Sequence, residues 1–535
     1  MAVNRPPAPF LLKSPRMPTP TPNPPSPSPP ALDRADRLVA AALFVGLALV
    51  TFMTLAGITG SNDGSHYALL RTMVENRAFT LNQFDDFAEG NDVAITPDGR
   101  LFSDRPPGTA VAAIPFYWLG GLLTADPLPS PLPEGEGVED PLPNPPPQGE
   151  GTGMPSRHDA GNPRLPYVLL LPVLAGAGTA ALLYGLLRYL DVRRAAALTA
   201  VLFFALGTTH WKYSAVLYSH ALSGFLVVLS VTLALLLAER ELAGWSWYAL
   251  LGFVLGAAVV VEYSNALLLP LVGLFWLWRS WPRAARRPLT TVLPALLAAA
   301  VPLAFLAWYN TVNFGRPWTL SYAYAVNYPW AGAFGTTFSF PLLAGLRALL
   351  WWGKGGGWCG GPPCVNQGLL LLSPVWWLAL PGLVIFLRRR QAAFVLLAGL
   401  FLVYLLLFAK HHTSHGFTAD GRYLVPFLGL LVPALGFSLD WLFDPRRRPL
   451  FRAGAALVVY GLFFLSLANQ MVHIGTSYGY TLDLDALQFP LARPENAALV
   501  LRAVFPNATN WLWLLLPLGA VVLLVALLGR QSARR

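Results

Sequence analysis

Apolar runs of about 20 residues recur along the chain, each long enough as a helix to cross a hydrocarbon layer of roughly 30 Å. They predict spans near 38–58, 166–187, 195–209, 216–238, 246–262, 264–279, 289–309, 369–387, 391–409, 422–440, 453–471 and 511–529. The expected fold is therefore all-α, a polytopic integral membrane protein with about 12 transmembrane helices, in a range of 11 to 13. The apolar stretch from Gly108 to Leu123 is the test of that count, because a span there would reverse the topology of everything after it. Read as an interfacial segment, it leaves every basic cluster on one side: Arg34/Arg37, Arg188/Arg193/Arg194, Arg240, Arg279 to Arg287, Arg388 to Arg390, Arg446 to Arg452 and Arg530 to Arg535. The positive-inside rule then puts both termini in the cytoplasm, and the expected location is the plasma (inner) membrane.

Composition supports this pattern. Of 535 residues, 55% are hydrophobic and 12% charged, against roughly 25% charged in a soluble domain. The net charge of +10, from 37 basic and 27 acidic residues, sits in clusters at span ends, which excludes a nucleic-acid surface. Residues 1–33 are rich in Pro, Ser and Thr and read as a disordered cytoplasmic tail. Residues 34–535 form the transmembrane domain, with a first outer loop over 60–124. A Pro/Gly-rich stretch over 125–163 carries two related copies that begin at Asp126 and Asp140, and it reads as a disordered insertion. Cys359 and Cys364 match no zinc pattern and leave a small local disulfide open.

The outer segments are then 60–165, 210–220, 310–368, 410–421 and 472–510, five pieces able to enclose one site. The first opens with Ser61-Asn62-Asp63-Gly64-Ser65-His66-Tyr67 and closes with Phe102-Ser103-Asp104-Arg105-Pro106-Pro107-Gly108. A carboxylate such as Asp63 suits a general base or a cation ligand, although Asn-Asp-Gly also marks ordinary turns. An arginine such as Arg105 suits a phosphate at headgroup depth.

Later segments add Trp211-Lys212-Tyr213-Ser214 with Tyr218-Ser219-His220, Asn313-Phe314-Gly315-Arg316-Pro317, Leu372-Ser373-Pro374, and Asp420-Gly421-Arg422-Tyr423-Leu424-Val425-Pro426. In order and in their common outer side, these motifs resemble the GT-C superfamily of membrane glycosyltransferases, in a bacterial branch similar to protein O-mannosyltransferases and aminoarabinose transferases (glycosyltransferase family 39-like). The resemblance implies an enzyme that takes a sugar from a polyprenyl-phosphate donor and passes it to an acceptor at the extracytoplasmic face. It also implies that Asp63 is the first-loop catalytic acid and that Arg105, before Pro-Pro, meets the donor phosphate. His66, Tyr67, Lys212 and His220 are expected near the substrates. Where many members carry a second acidic residue beside the first, this chain has Asn62 and Gly64, with His220 in the next turn. No cofactor is required by this reading and no metal ligand is assigned; a divalent cation (Mg or Mn) stays open.

Lys410 and Arg422 flank a turn at the ends of two spans and are read as further donor-phosphate cations. The histidines between them, His411, His412 and His415, are compatible with a transition metal or with charge change near neutral pH. Trp352, in a Trp- and Gly-rich stretch, is an aromatic surface for a sugar or an interfacial anchor. Glu262, costly in lipid, is expected at the outer end of its span or facing polar groups. The competing class is a transporter or a lipid-linked glycan flippase or polymerase, which also needs many spans. The long outer and short inner loops favour a one-sided enzyme. The expected partners are the lipid bilayer, the polyprenyl-phosphate sugar donor and an acceptor of lipid, glycan or protein type, with a small or lipid-anchored one preferred.

Overall fold

The computed structural model describes residues 32–475 apart from 56, 82–83, 89, 125–162, 240–243, 355–364 and 414–419, together with residue 519. The tail, the 125–163 insertion, both cysteines, His415 and the span expected over 511–529 lie outside the described residues.

The described chain is overwhelmingly helical. Its long helices are α1 (Arg34–Met53), α2 (Ser61–Arg71), α3 (Gly108–Thr124), α4 (Leu170–Tyr189), α5 (Arg194–Gly207), α6 (Ser219–Glu239), α7 (Trp245–Val261), α8 (Leu268–Ala284), α9 (Val292–Phe314), α10 (Leu342–Leu350), α11 (Ala379–Arg389), α12 (Gln391–Ala409), α13 (Val432–Leu442) and α14 (Pro449–Gly475). Among the described residues, seven helical segments are long and apolar enough to cross a membrane, and α3, α5 and α7 are shorter apolar helices. The expectation of twelve spans is thus matched by helix at eleven places, but not all of those helices are of full spanning length. The stretch over 369–389 is broken at Ser373-Pro374, and 422–442 begins as a 3-10 segment around Pro426 before Pro433 opens α13. Proline removes a backbone donor and clashes with the preceding turn, which accounts for both interruptions.

Two antiparallel hairpins are present, β1 (Val93–Ile95) with β2 (Leu101–Ser103), and β3 (Trp352–Lys354) with β4 (Val365–Gln367). In the first, Gly99 turns the chain at φ 81° and Thr96 Oγ1 donates to the Arg100 carbonyl at 3.1 Å.

Large apolar side chains cover the outside. On α9, Leu296, Leu297 and Val301 are more than half exposed, and on α14 so are Leu457, Phe464 and Leu465. A continuous apolar surface of that kind is stable against lipid and not against water. Inside, the helices approach closely through small residues: α7 carries Gly252 and Gly256 four apart, and a Cβ on Gly252 would lie 1.9 Å from the Ala295 carbonyl oxygen of α9. This contact sets the height of α7, whose C-cap is Glu262.

The basic clusters gather at one end of the bundle. Asp36, at the start of α1, accepts from Tyr184 Oη (2.8 Å), Arg188 Nε (3.0 Å) and Arg194 Nε (2.9 Å). Asp440 holds Arg193 Nε (2.6 Å) and Arg389 Nη1 (3.1 Å), and Asp191 pairs with Arg390. Because α1 leaves this end and delivers the chain to α2, the first outer loop lies at the other. Asp36→Ala would remove the acceptor shared by three partners, two of them cations, leaving Arg194 with Asp33 and Arg188 with the Val192 carbonyl. We expect a loss of about 3 kcal/mol, at the low end for a buried pair because both guanidinium groups keep about a fifth of their surface exposed, read as a lower midpoint of thermal unfolding in detergent.

Candidate functional site

The Asn-Asp-Gly stretch, which locally suggests a turn, is the first turn of α2. Asp63 occupies the third helical position, where a carboxylate can satisfy amide groups left open at a helix start. Its Oδ2 accepts from Thr59 N (2.7 Å) and Thr59 Oγ1 (3.0 Å), and its Oδ1 accepts from Gly60 N (3.0 Å). Full burial pushes its carboxyl up to about 7, against the pull of those hydrogen bonds. These bonds hold the carboxylate in one orientation at the helix start.

Residues one turn apart on α2 project toward the β1–β2 hairpin. Ser61 Oγ donates to Asp92 Oδ2; Ser65 Oγ lies 2.7 Å from both the Asp92 carbonyl and Ser103 Oγ. The hairpin in turn presents Arg105. Its guanidinium pairs with Asp92, its backbone N–H donates to Ser103 Oγ (3.1 Å), and the Asn62 amide, turned oxygen-first, places Oδ1 3.1 Å from Arg105 Nε. His66 stands beside it, with its Nδ1 unbonded among the described residues. Burial and the charge of Arg105 push its ring down to about 3, so it is neutral. Tyr67, one residue on, is rotated away by about 100°. It is fully buried edge-on to Phe87 and against Tyr117, in the apolar cluster beneath the loop.

Three further pieces converge on the same place. From the turn after α5, Lys212 Nζ lies 3.6 Å from Asp420, which also accepts from Tyr213 Oη at 2.9 Å. Burial lowers the Lys212 ammonium, and Asp420 partly restores it. From the start of α6, Ser219 Oγ donates to Glu262 Oε2 (2.8 Å), and His220 packs against Tyr213 and Tyr218. Arg422 lies over Tyr218 and Tyr423. The charges of Arg105 and Arg422 act on both His220 and Glu262, which places the two guanidinium groups around one set of side chains.

Arg105, Arg422, His66, Lys212, His220 and Glu262 are thus brought together; Asp63 lies on the same turn of α2 as Asn62, which meets Arg105, and its own bonds run back to Thr59 and Gly60. Lys410 stands apart: it caps α12 with an exposed side chain, and its carbonyl accepts from Phe340 N at 2.9 Å. Trp352 is described only as backbone in β3. His411 and His412 are engaged by aromatic rings, His412 stacking on Trp330 at 4.9 Å and His411 packing against Tyr423. Among the described residues, no group of three or more His, Cys, Asp or Glu is arranged to hold a metal ion. The site carboxylates Asp92 and Asp420 face Arg105 and Lys212.

Sequence reasoning missed Asp92, Ser321, Tyr322 and Tyr328. Ser321 Oγ donates to the Asp104 carbonyl at 2.6 Å, and Tyr322 and Tyr328 lie within reach of the Arg105 and Asp104 charges. None belongs to a motif, so only the folding of the 310–340 loop over the hairpin reveals them. Asp104 stood in view beside Arg105 without an assigned role.

No protein-family model matches the chain, and no curated protein matches it. Among solved structures it is similar to the archaeal oligosaccharyltransferase AglB from Archaeoglobus fulgidus, in complex with an inhibitory peptide and a dolichol-phosphate. The identity is 14% and the TM-score 0.49, over 85% of this chain and 58% of that one. It is also similar to ArnT from Cupriavidus metallidurans bound to undecaprenyl phosphate, with 14% identity and TM-score 0.46, over 92% of this chain and 77% of that one. The chain spans a little over half the length of the oligosaccharyltransferase.

Proposed function

We propose that the chain is a membrane glycosyltransferase that moves a sugar from a polyprenyl-phosphate donor to an acceptor at the extracytoplasmic face. The observation that carries this reading is the convergence of Arg105 and Arg422, from distant parts of the chain, on Glu262 and His220, with Asp63 clamped at the start of the helix whose Asn62 meets Arg105. Two guanidinium forks are suited to one phosphate and compensate the charge that develops on it as it leaves. Lys410, exposed on its turn, is given no part in holding it. In the proposed reaction the acceptor oxygen loses its proton to the Asp63 carboxylate and attacks the sugar's anomeric carbon. The bond from that carbon to the phosphate oxygen breaks, and its electron pair stays on the lipid phosphate. Glu262, held by Ser219, is assigned to the sugar hydroxyls. The site faces outward because the basic clusters occupy the opposite end of the bundle.

The test is thermal stabilisation of detergent-purified protein by undecaprenyl phosphate. We expect a higher unfolding midpoint for wild type and most of that shift lost in Arg105→Ala and Arg422→Ala. Absence of any shift in folded wild type would favour the transporter or flippase class.

A further inference from the structure

Asp104 is buried, and neither of its carboxyl oxygens has a hydrogen-bond partner among the described residues. Arg105 Nε is 3.1 Å from Oδ1 but lacks the alignment of a hydrogen bond. The residue is nevertheless firmly placed: Ser103 before it is bonded to Ser65, Arg105 after it pairs with Asp92, and its own carbonyl accepts from Ser321. A buried carboxyl without hydrogen bonds is costly and calls for a partner that is not part of the protein.

The charged, titratable and polar groups of the cluster that holds Arg105 and Arg422 come from every neighbouring element. They are Asp92 and Arg105 on the hairpin of Asp104, Asn62 and His66 on α2, and Lys212 and His220 from the turn and α6. Glu262 and Tyr263 follow α7, Tyr322 and Tyr328 lie on the loop above, and Asp420, Arg422 and Tyr423 precede α13. Asp92 neutralises Arg105, and Asp420 sits against Lys212. The charge of Arg422 acts on both Asp104 and Glu262. With both carboxyls ionised, an arriving phosphate would meet their two negative charges. Glu262 already accepts a hydrogen bond from Ser219, whereas Asp104 accepts none.

Resting on the function proposed above, we propose that Asp104 is a specificity-determining contact for the donor: as a carboxylic acid it donates its O–H to a non-bridging oxygen of the phosphate held by Arg105 and Arg422, and as a carboxylate it repels that phosphate. Burial supports this by pushing the carboxyl up to about 8 even with Arg422 pulling it down. Phosphate binding is then tied to one proton.

The experiment measures stabilisation by undecaprenyl phosphate between pH 6 and 9.5 for wild type, Asp104→Asn and Asp104→Ser, with inorganic phosphate in a parallel arm. For wild type, affinity is expected to fall by up to about tenfold per pH unit above the carboxyl's titration. Asp104→Asn, neutral at every pH and still a donor, should bind with a flat profile; Asp104→Ser should also be flat, which covers the case of an asparagine variant that does not fold. Lys212 titrates equally in all three proteins, so a slope present only in wild type belongs to Asp104. A flat wild-type profile, or equal slopes in wild type and variants, overturns the role of Asp104 while leaving the transferase reading intact. No stabilisation of wild type at any pH overturns both. Stabilisation by inorganic phosphate and not by the lipid overturns the lipid-linked ligand.

Discussion

Asp63→Asn is expected to reduce sugar transfer by about 10²- to 10⁴-fold, the usual contribution of a positioned general base, while stabilisation by undecaprenyl phosphate persists. In the proposed site Arg105 and Arg422 hold the donor, and neither is paired with Asp63. The wild-type rate should climb as pH rises through about 7, because the base acts only when ionised and burial has moved its carboxyl to that value. Combined with loss of donor affinity at higher pH through Asp104, the rate profile should be bell-shaped. The ascending limb should disappear in Asp63→Asn. Part of any loss could arise from the helix start, since Asp63 also accepts from Thr59 and Gly60. A weakened cap costs about 1 kcal/mol and would lower the unfolding midpoint; it does not remove a pH limb. A fully active Asp63→Asn protein would refute the base assignment.

Gly252→Leu should have the largest structural effect. A Cβ at this position would sit 1.9 Å from the Ala295 oxygen and 2.6 Å from its carbonyl carbon, so backbone must move, not a flexible side chain. We expect a loss of about 3 kcal/mol or more, seen as a lower unfolding midpoint. Displacing α7 should also carry Glu262 away from Ser219 and weaken transfer in whatever protein remains folded. Gly273→Leu on α8 is the matched control, because a Cβ there meets nothing within 4 Å. Equal midpoints for the two variants would mean that the α7–α9 contact does not set the bundle.

Much of the scaffold was legible without coordinates. Helix was expected over 38–58 and 391–409 and is found over Arg34–Met53 and Gln391–Ala409, because an uninterrupted apolar run of that length has few other ways to satisfy its backbone. The prolines at 374 and 426 were equally visible, but whether each would kink, end or merely tighten a helix depended on neighbours. The site divided in the same way. Arg105 and Asp63 stood in recognisable settings; Asp92 did not, since it acquires a role only through Ser61, Ser65 and Arg105. His66 and Tyr67 are adjacent in sequence and of similar character, yet one faces the charged cluster and the other the apolar one. Only the packing of α2 against α3 and the hairpin sets that rotation.

What the sequence by itself determined is the class: a helical, membrane-embedded chain with its basic residues at one end and its polar motifs at the other. Those properties follow from the length of apolar runs and the position of charges along the chain, which are local quantities. The tertiary structure decided the chemistry. Asp36 meets Arg188, Ser219 meets Glu262, and Arg422 faces Asp104 because helices far apart in sequence pack side by side. Whether a buried carboxyl is a cap, an ion-pair partner or an acid with an unused hydrogen bond is a property of those neighbours, and no local pattern contains them.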